Sequence, residues 1–206
     1  MTIGKEFYWN STLERMEWPQ LAEHQLSRLR EQLAHVDEHS PFYRRKLAGA
    51  GIRPDEIRTM EDVRNIPFTT KGELKESQLQ NPPWGDFGCI DPSRAVRVFQ
   101  TSGTTGTPVR VMLSGKDWLE TYSEQFQYYR CAYGITEKDI LYVPFSYGLY
   151  LAWWGFHMAM EQAGLLVVPG GGQTSKDRLR AILDWGATVV CGTPTYLLYL
   201  AETARK

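Results

Sequence analysis

From Asp139 onward, short apolar runs alternate with amphipathic stretches, and this alternation restricts the possible folds more than any other feature of the chain. Ile140–Val143, Leu165–Val168 and Thr188–Cys191 read as strands, short and rich in branched side chains. Residues 149–163, 175–185 and 195–205 read as helices between and after them, the second with Thr174 and Asp177 in capping positions. Strands separated by whole helices cannot form tight hairpins. They pair in parallel through right-handed crossovers. The C-terminal half is therefore expected to be α/β.

The N-terminal half has a different texture. Leu26, Leu29, Leu33 and Val36 recur at helical spacing, which predicts a helix over 19–39, ended by Ser40-Pro41. A short helix over 42–51 follows. Residues 52–93 are rich in turn formers (Pro54, Pro67, Pro82, Pro83, Gly85, Gly88, Pro92), with short helices expected at 55–57, 59–65 and 71–78. The character changes at Arg94. Val96 and Val98, then Val109, Val111 and Leu113, alternate with polar neighbours around a Gly/Thr/Ser loop, which predicts a β-hairpin. Ser114 with Asp117 marks a helix start, and Trp118, Tyr122, Phe126, Tyr129 and Tyr133 then form a stripe expected to face the core. The chain thus divides into a helical and irregular segment, 1–93, and an α/β portion, 94–206.

Composition removes several function classes. There are 23 Lys plus Arg against 24 Asp plus Glu, so no general basic surface for nucleic acid is expected. No apolar run approaches the ~18 residues of a membrane span; the longest, Leu149–Met160, contains His157. Residues 1–10 lack a basic-then-apolar leader pattern. Cys89, Cys131 and Cys191 are odd in number and far apart, which fits a reducing, cytoplasmic setting rather than a disulfide framework. Neither a G-x-S-x-G elbow nor a CxxC is present, and Cys191 reads as a small hydrophobe on a strand. His35-Val36-Asp37-Glu38-His39 matches an H-x-x-E-H pattern, but the helix ends directly after it and no further zinc-ligand constellation follows, so no metal site is assigned.

The residues that carry chemistry are Thr101-Ser102-Gly103-Thr104-Thr105-Gly106-Thr107-Pro108. Glycines let backbone approach a ligand and adopt positive φ. Successive N–H groups with interleaved hydroxyls then make an anion cradle. The alternative is a polar hairpin tip. The pattern is neither a Walker A loop nor a dinucleotide fingerprint.

The order T-S-G-T-T-G-x-P resembles the phosphate-binding loop of the adenylate-forming (AMP-binding) superfamily. Members often carry a Lys beside the Pro; here Thr107 and Val109 flank it, with Arg110 nearby to replace part of the charge. Further motifs resemble phenylacetate-CoA ligases in the right order: Pro41-Phe42-Tyr43-Arg44-Arg45-Lys46-Leu47, Pro67-Phe68-Thr69-Thr70-Lys71, Tyr147-Gly148-Leu149 with Gly155 and His157, Pro169 to Thr174, and Thr193 to Leu198. Coenzyme F390 synthetases share this look.

The resemblance implies part of the N-terminal domain of an adenylate-forming enzyme, with the hairpin followed by a βαβαβ unit. It implies ATP, Mg²⁺ and coenzyme A as cofactors, an aryl carboxylic acid as substrate, and a homodimer as one assembly. Thr101, Ser102, Gly103, Thr104, Thr105 and Gly106 would hold the β- and γ-phosphates. Phe145, Tyr147, Gly148 and Leu149, with Gly171 and Gly172, would line the acid pocket. This chain carries Trp153 and Trp154 where the family tends to have small residues, so either ring could reshape that pocket.

Members of the family continue with an aromatic-Gly-x-Thr-Glu segment, a ribose-binding Asp and a mobile domain with a reacting Lys, none of them present in these 206 residues. No complete catalytic set is therefore assigned. The expectation is the first half of such an enzyme, inactive alone and needing a C-terminal part or a complementing subunit. The alternative is a non-catalytic module that binds a nucleotide or small acid. Exposed apolar edges should make the isolated chain self-associate.

Overall fold

The computed structural model describes residues 7–103 and 106–205. It divides into two units, residues 12–115 and residues 116–206 with 1–11. The helices are α1 (Ser11–Glu14), α2 (Trp18–His39), α3 (Pro41–Gly49), α4 (Lys71–Gln80), α5 (Tyr122–Ala132), α6 (Leu151–Gln162), α7 (Ser175–Asp184) and α8 (Pro194–Ala204). The strands are β1 (Ala95–Gln100), β2 (Arg110–Ser114), β3 (Ile140–Val143), β4 (Leu166–Pro169) and β5 (Val189–Val190).

In the first unit, the apolar stripe of α2 does what its spacing predicts. Leu33 is buried with Leu47 of α3 and Ile57, and Leu26, Leu29 and Val36 pack around them. Ser40 is the joint between α2 and α3 and is fully buried. Its Oγ accepts from the Tyr43 N–H at 3.2 Å, capping α3. Its hydroxyl lies 3.3 Å and 3.2 Å from the carbonyls of Asp86 and Phe87, so the same side chain ties the helix joint to the 86–87 segment. The irregular stretch is broken by 3₁₀ turns at Pro54–Glu56 and Asp62–Asn65. Thr70 and Glu73 close a capping box at the start of α4.

β1 and β2 pair antiparallel, with Phe99 opposite Val111 and Gln100 opposite Arg110. The hairpin belongs to the same unit as α2–α4, although the sequence changes character at Arg94. One side chain that patterning does not see links the hairpin to α4. Gln78 of α4, itself buried, donates to the Pro108 carbonyl at 3.1 Å and accepts from the Arg110 N–H at 2.6 Å.

In the second unit, β3 lies between β4 and β5 in an all-parallel sheet. Leu141, Tyr142 and Val143 of β3 are fully buried, as a central parallel strand covered on both faces should be. Leu141 and Val143 pack with Ala159 and Met160 of α6 and with Leu165. Tyr142, one residue out of phase, has its hydroxyl bonded to the Gln173 side chain. Gly155 brings α6 against α5, since a Cβ there would overlap the Tyr122 ring.

The aromatic stripe before β3 is core for three of its five members. Trp118 stacks on Tyr122 at 5.9 Å and Tyr122 meets Phe126 edge-on at 5.5 Å. Tyr129 and Tyr133 are exposed, Tyr133 by 80%. A π-helical turn at Asp117–Thr121 precedes α5. Among the described residues no helix is long and apolar enough to cross a membrane.

Candidate functional site

Each unit presents one cluster. In the first unit the cluster is the tip of the β1–β2 hairpin. Thr101 closes its base twice: its N–H donates to the Val109 carbonyl at 2.9 Å, and its Oγ1 accepts from the Val109 N–H at 3.0 Å. The Thr101 hydroxyl proton remains to donate. The Gly106 N–H turns back to the Gly103 carbonyl at 2.9 Å. Gly103 and Gly106 have φ of 67° and 105°, so both sit where only glycine is unstrained. A Cβ on Gly103 would lie 3.0 Å from the Gly106 carbonyl oxygen, while among the described residues nothing lies within 4 Å of a Cβ on Gly106. Ser102 is exposed at this tip. A glycine-rich turn with a surface hydroxyl can turn N–H and O–H donors outward. Thr104 and Thr105 lie outside the described residues.

Arg110 does not direct its charge into this turn. Its guanidinium donates to the Pro83 carbonyl at 3.1 Å. Near α4, the Lys46 ammonium pairs with Glu73. The hydrogen bond from Lys46, with those from the Thr70 backbone and hydroxyl, pulls the Glu73 carboxyl from 4.5 down to about 2. Asp86 opposes its own burial through Arg45 and Ser77, which hold its carboxyl below the usual range.

In the second unit the cluster stands at the carboxyl ends of the parallel strands. The chain runs from β3 to β4 on one side and then returns to β5 on the other. Open sheets bind ligands outside the carboxyl ends of the strands, at such a reversal. The structure brings the sequence-predicted residues of this unit together. Phe145 and Gly170 both send their N–H to the Val143 carbonyl, at 2.9 Å and 2.8 Å. The Gly172 N–H donates to Ser146 Oγ at 3.1 Å. A Cβ on Gly171 would lie 3.2 Å from the Phe145 carbonyl oxygen, so the two loops touch through backbone. Gly148, at φ 51°, makes the turn that sends the Tyr150 N–H to the Tyr147 carbonyl at 2.9 Å. Leu149 is exposed and Tyr147 is buried.

Both tryptophans engage this loop. Trp153 lies flat on Phe145 at 4.4 Å between ring centroids. Trp154 donates Nε1–H to the Gly148 carbonyl at 2.9 Å and meets the Tyr147 ring edge-on at 5.0 Å. Tyr196 of α8 completes the aromatic wall, 5.3 Å from Phe145. Arg178 of α7 fixes that corner. It donates to the Gly170 carbonyl at 3.1 Å and to the Tyr196 hydroxyl at 2.6 Å, and its guanidinium lies over the Tyr196 ring at 5.4 Å. Burial pushes the Cys191 thiol up to about 11, so it is an inert thiol rather than a nucleophile.

Sequence reasoning missed Gln78, Arg178 and Tyr196. Arg178 sits in an amphipathic helix among other charges, and nothing in the periodicity marks it. Tyr196 falls within the 193–198 motif, which was the available signal. His35 and His39 meet edge-on at 4.6 Å in the last turn of α2. Among the described residues no group of His, Cys, Asp and Glu side chains is arranged to hold a metal ion.

The AMP-binding enzyme family model matches residues 22–206. The phenylacetate-coenzyme A ligase of Pseudomonas putida is 35% identical over 186 residues, covering 88% of this chain and 40% of its own length. That of Escherichia coli K12 is 35% identical over 182 residues, covering 86% of this chain and 39% of its own. Among solved structures, 2-hydroxyisobutyryl-CoA ligase with 2-HIB-AMP and CoA, in its thioesterification state, matches with a TM-score of 0.91 at 31% identity, over 97% of this chain and 42% of that one. The same ligase with 2-HIB-AMP in its postadenylation state matches at 0.90 and 29% identity, over 98% and 42%. The chain therefore spans about two fifths of the length of the relatives it matches.

Proposed function

The chain belongs to the AMP-binding enzyme family, and from that premise we propose that it supplies the phosphate loop and part of the acid pocket of an ATP-dependent acid–thiol ligase. The reaction is that of an aryl-CoA ligase. A carboxylate oxygen attacks the α-phosphorus of ATP, the bond to pyrophosphate breaks, and an acyl-adenylate forms. The thiolate of coenzyme A then attacks the acyl carbon and AMP leaves. Relatives named for these chemistries include phenylacetate-CoA ligases.

The observation that carries this reading is the hairpin tip, with its positive-φ glycines, its closed base at Thr101 and its exposed Ser102. Thr101, Ser102, Gly103, Thr104, Thr105 and Gly106 are assigned to the β- and γ-phosphates. Their hydroxyls, with the loop N–H groups that the hairpin does not itself use, stabilise the polyanion as it departs. Mg²⁺, when bound, neutralises phosphate charge; no residue of this chain is assigned to hold it. Phe145, Tyr147, Gly148, Leu149, Gly171 and Gly172 are assigned to the acid. The flat Phe145–Trp153 pair suits an aromatic tail.

The test is ATP–pyrophosphate exchange by the product of the full reading frame, across aryl and alkyl acids. Exchange that depends on an aryl acid is expected. Nucleotide binding without exchange on any acid would replace this reading with that of a binding module.

A further inference from the structure

Two titratable side chains beside the acid loop have no part in the reaction just described. His157 and Glu161 are four apart on α6, one turn of the same face. Glu161 Oε1 lies 2.8 Å from His157 Nε2. Tyr147 Oη lies 2.9 Å from His157 Nδ1. His157 and Tyr147 are buried. The three groups form one unbranched line from the surface to the loop.

The direction of each bond follows from the charge and tautomer of His157. A carboxylate only accepts, so Nε2 carries the imidazole hydrogen. In the neutral ring Nδ1 is then a lone pair. Burial raises Tyr147 above the usual phenol range, and neighbouring Cys191 and Glu161 add to the shift. Against a neutral imidazole, Tyr147 is a protonated phenol facing an acceptor, and its single proton goes to His157. What remains at its oxygen is lone pairs.

We propose that His157 and Glu161 are positioning residues that turn Tyr147 into an acceptor-only wall of the acid site. The inference rests on the reading of the 145–150 loop as that site. It names the substrate class more closely: an acid whose far end carries an O–H or N–H, not one ending in a second carboxylate or a carbonyl. α6 then acts as a splint for the loop, with Trp153 on Phe145, Trp154 on Gly148 and His157 on Tyr147.

Two measurements test it. Nitrogen–proton correlation of the imidazole in the 206-residue chain should show the Nε2–H tautomer of His157, depleted in Glu161→Gln. In the product of the full reading frame, Glu161→Gln and Tyr147→Phe should each raise the KM for the acid roughly three- to tenfold, the range for one lost hydrogen bond. The KM for ATP should stay fixed. The double variant should be no worse than Tyr147→Phe, because the two act in series. His157→Asn, whose amide oxygen can take the phenol proton, should recover part of what His157→Leu loses. An imidazolium or an Nδ1–H tautomer at neutral pH overturns the proposal. So does exchange activity in which the two KM values move together or not at all. A wild-type protein without acid-dependent exchange overturns the ligase reading itself, and the proposal with it, whatever the tautomer.

Discussion

Gly103 shows how one missing side chain shapes the hairpin tip. At φ 67° an L-residue is strained, and its Cβ would press on the Gly106 carbonyl oxygen at 3.0 Å. Gly103→Ala should therefore cost about 1–2 kcal/mol in equilibrium unfolding and weaken ATP binding more than acid binding. Ser102→Ala removes only an exposed hydroxyl. It should leave the unfolding midpoint unchanged while raising the KM for ATP, a split that a purely structural role would not produce. At this scale much was legible. The loop's glycines and hydroxyls, and the 145–149 and 171–172 segments, are named by their motifs. Arg178 was not, because its value lies in a carbonyl eight residues back and a tyrosine eighteen ahead. Contacts of that kind leave no period in the sequence.

Elements were easier to place than the side chains that join them. The strand–helix alternation after Asp139 predicts the parallel sheet, because each strand is too far from the next for a hairpin. It also overextends the ends: β5 keeps two ladder residues and α6 begins at Leu151, after the Gly148 turn. The attachment of the hairpin to α4 was not legible, since Gln78 is a polar residue buried to serve two backbone groups. Gln78→Ala should leave the Pro108 carbonyl and the Arg110 N–H without that partner. The expected loss is about 1–3 kcal/mol, with faster amide exchange at Arg110 as the local readout. The joint between α3 and α4 titrates. Lys46 holds the Glu73 carboxyl near 2 rather than 4.5, so its stabilisation is complete above about pH 4.5 and drains away as pH falls toward 2. Acid unfolding of Glu73→Gln should accordingly have a shallower slope over that window than wild type.

On the scale of the whole molecule, the balance of apolar surface decides behaviour in solution. Each unit buries its own core, around Leu33, Leu47 and Ile57 in one and around Leu141, Val143, Ala159 and Met160 in the other. The second unit nevertheless leaves large apolar side chains in water. Leu183 of α7 is 80% exposed, Leu198 of α8 is 67% exposed, and Trp185 and Tyr199 lie beside them in sequence, also exposed. Single exposed hydrophobes are ordinary. Several on two successive helices that pack on each other are less so, because they offer a partner more than one apolar contact. A near-neutral chain has little net repulsion to keep copies apart, with 23 basic against 24 acidic residues. The 206-residue chain should therefore self-associate reversibly at micromolar concentration, seen as a concentration-dependent weight-average mass in sedimentation equilibrium. Leu183→Lys with Leu198→Lys should restore the monomer without shifting the thermal midpoint, since neither side chain contributes to the core. A wild-type mass that stays monomeric across that range would mean that this face is too dispersed to bind a second copy.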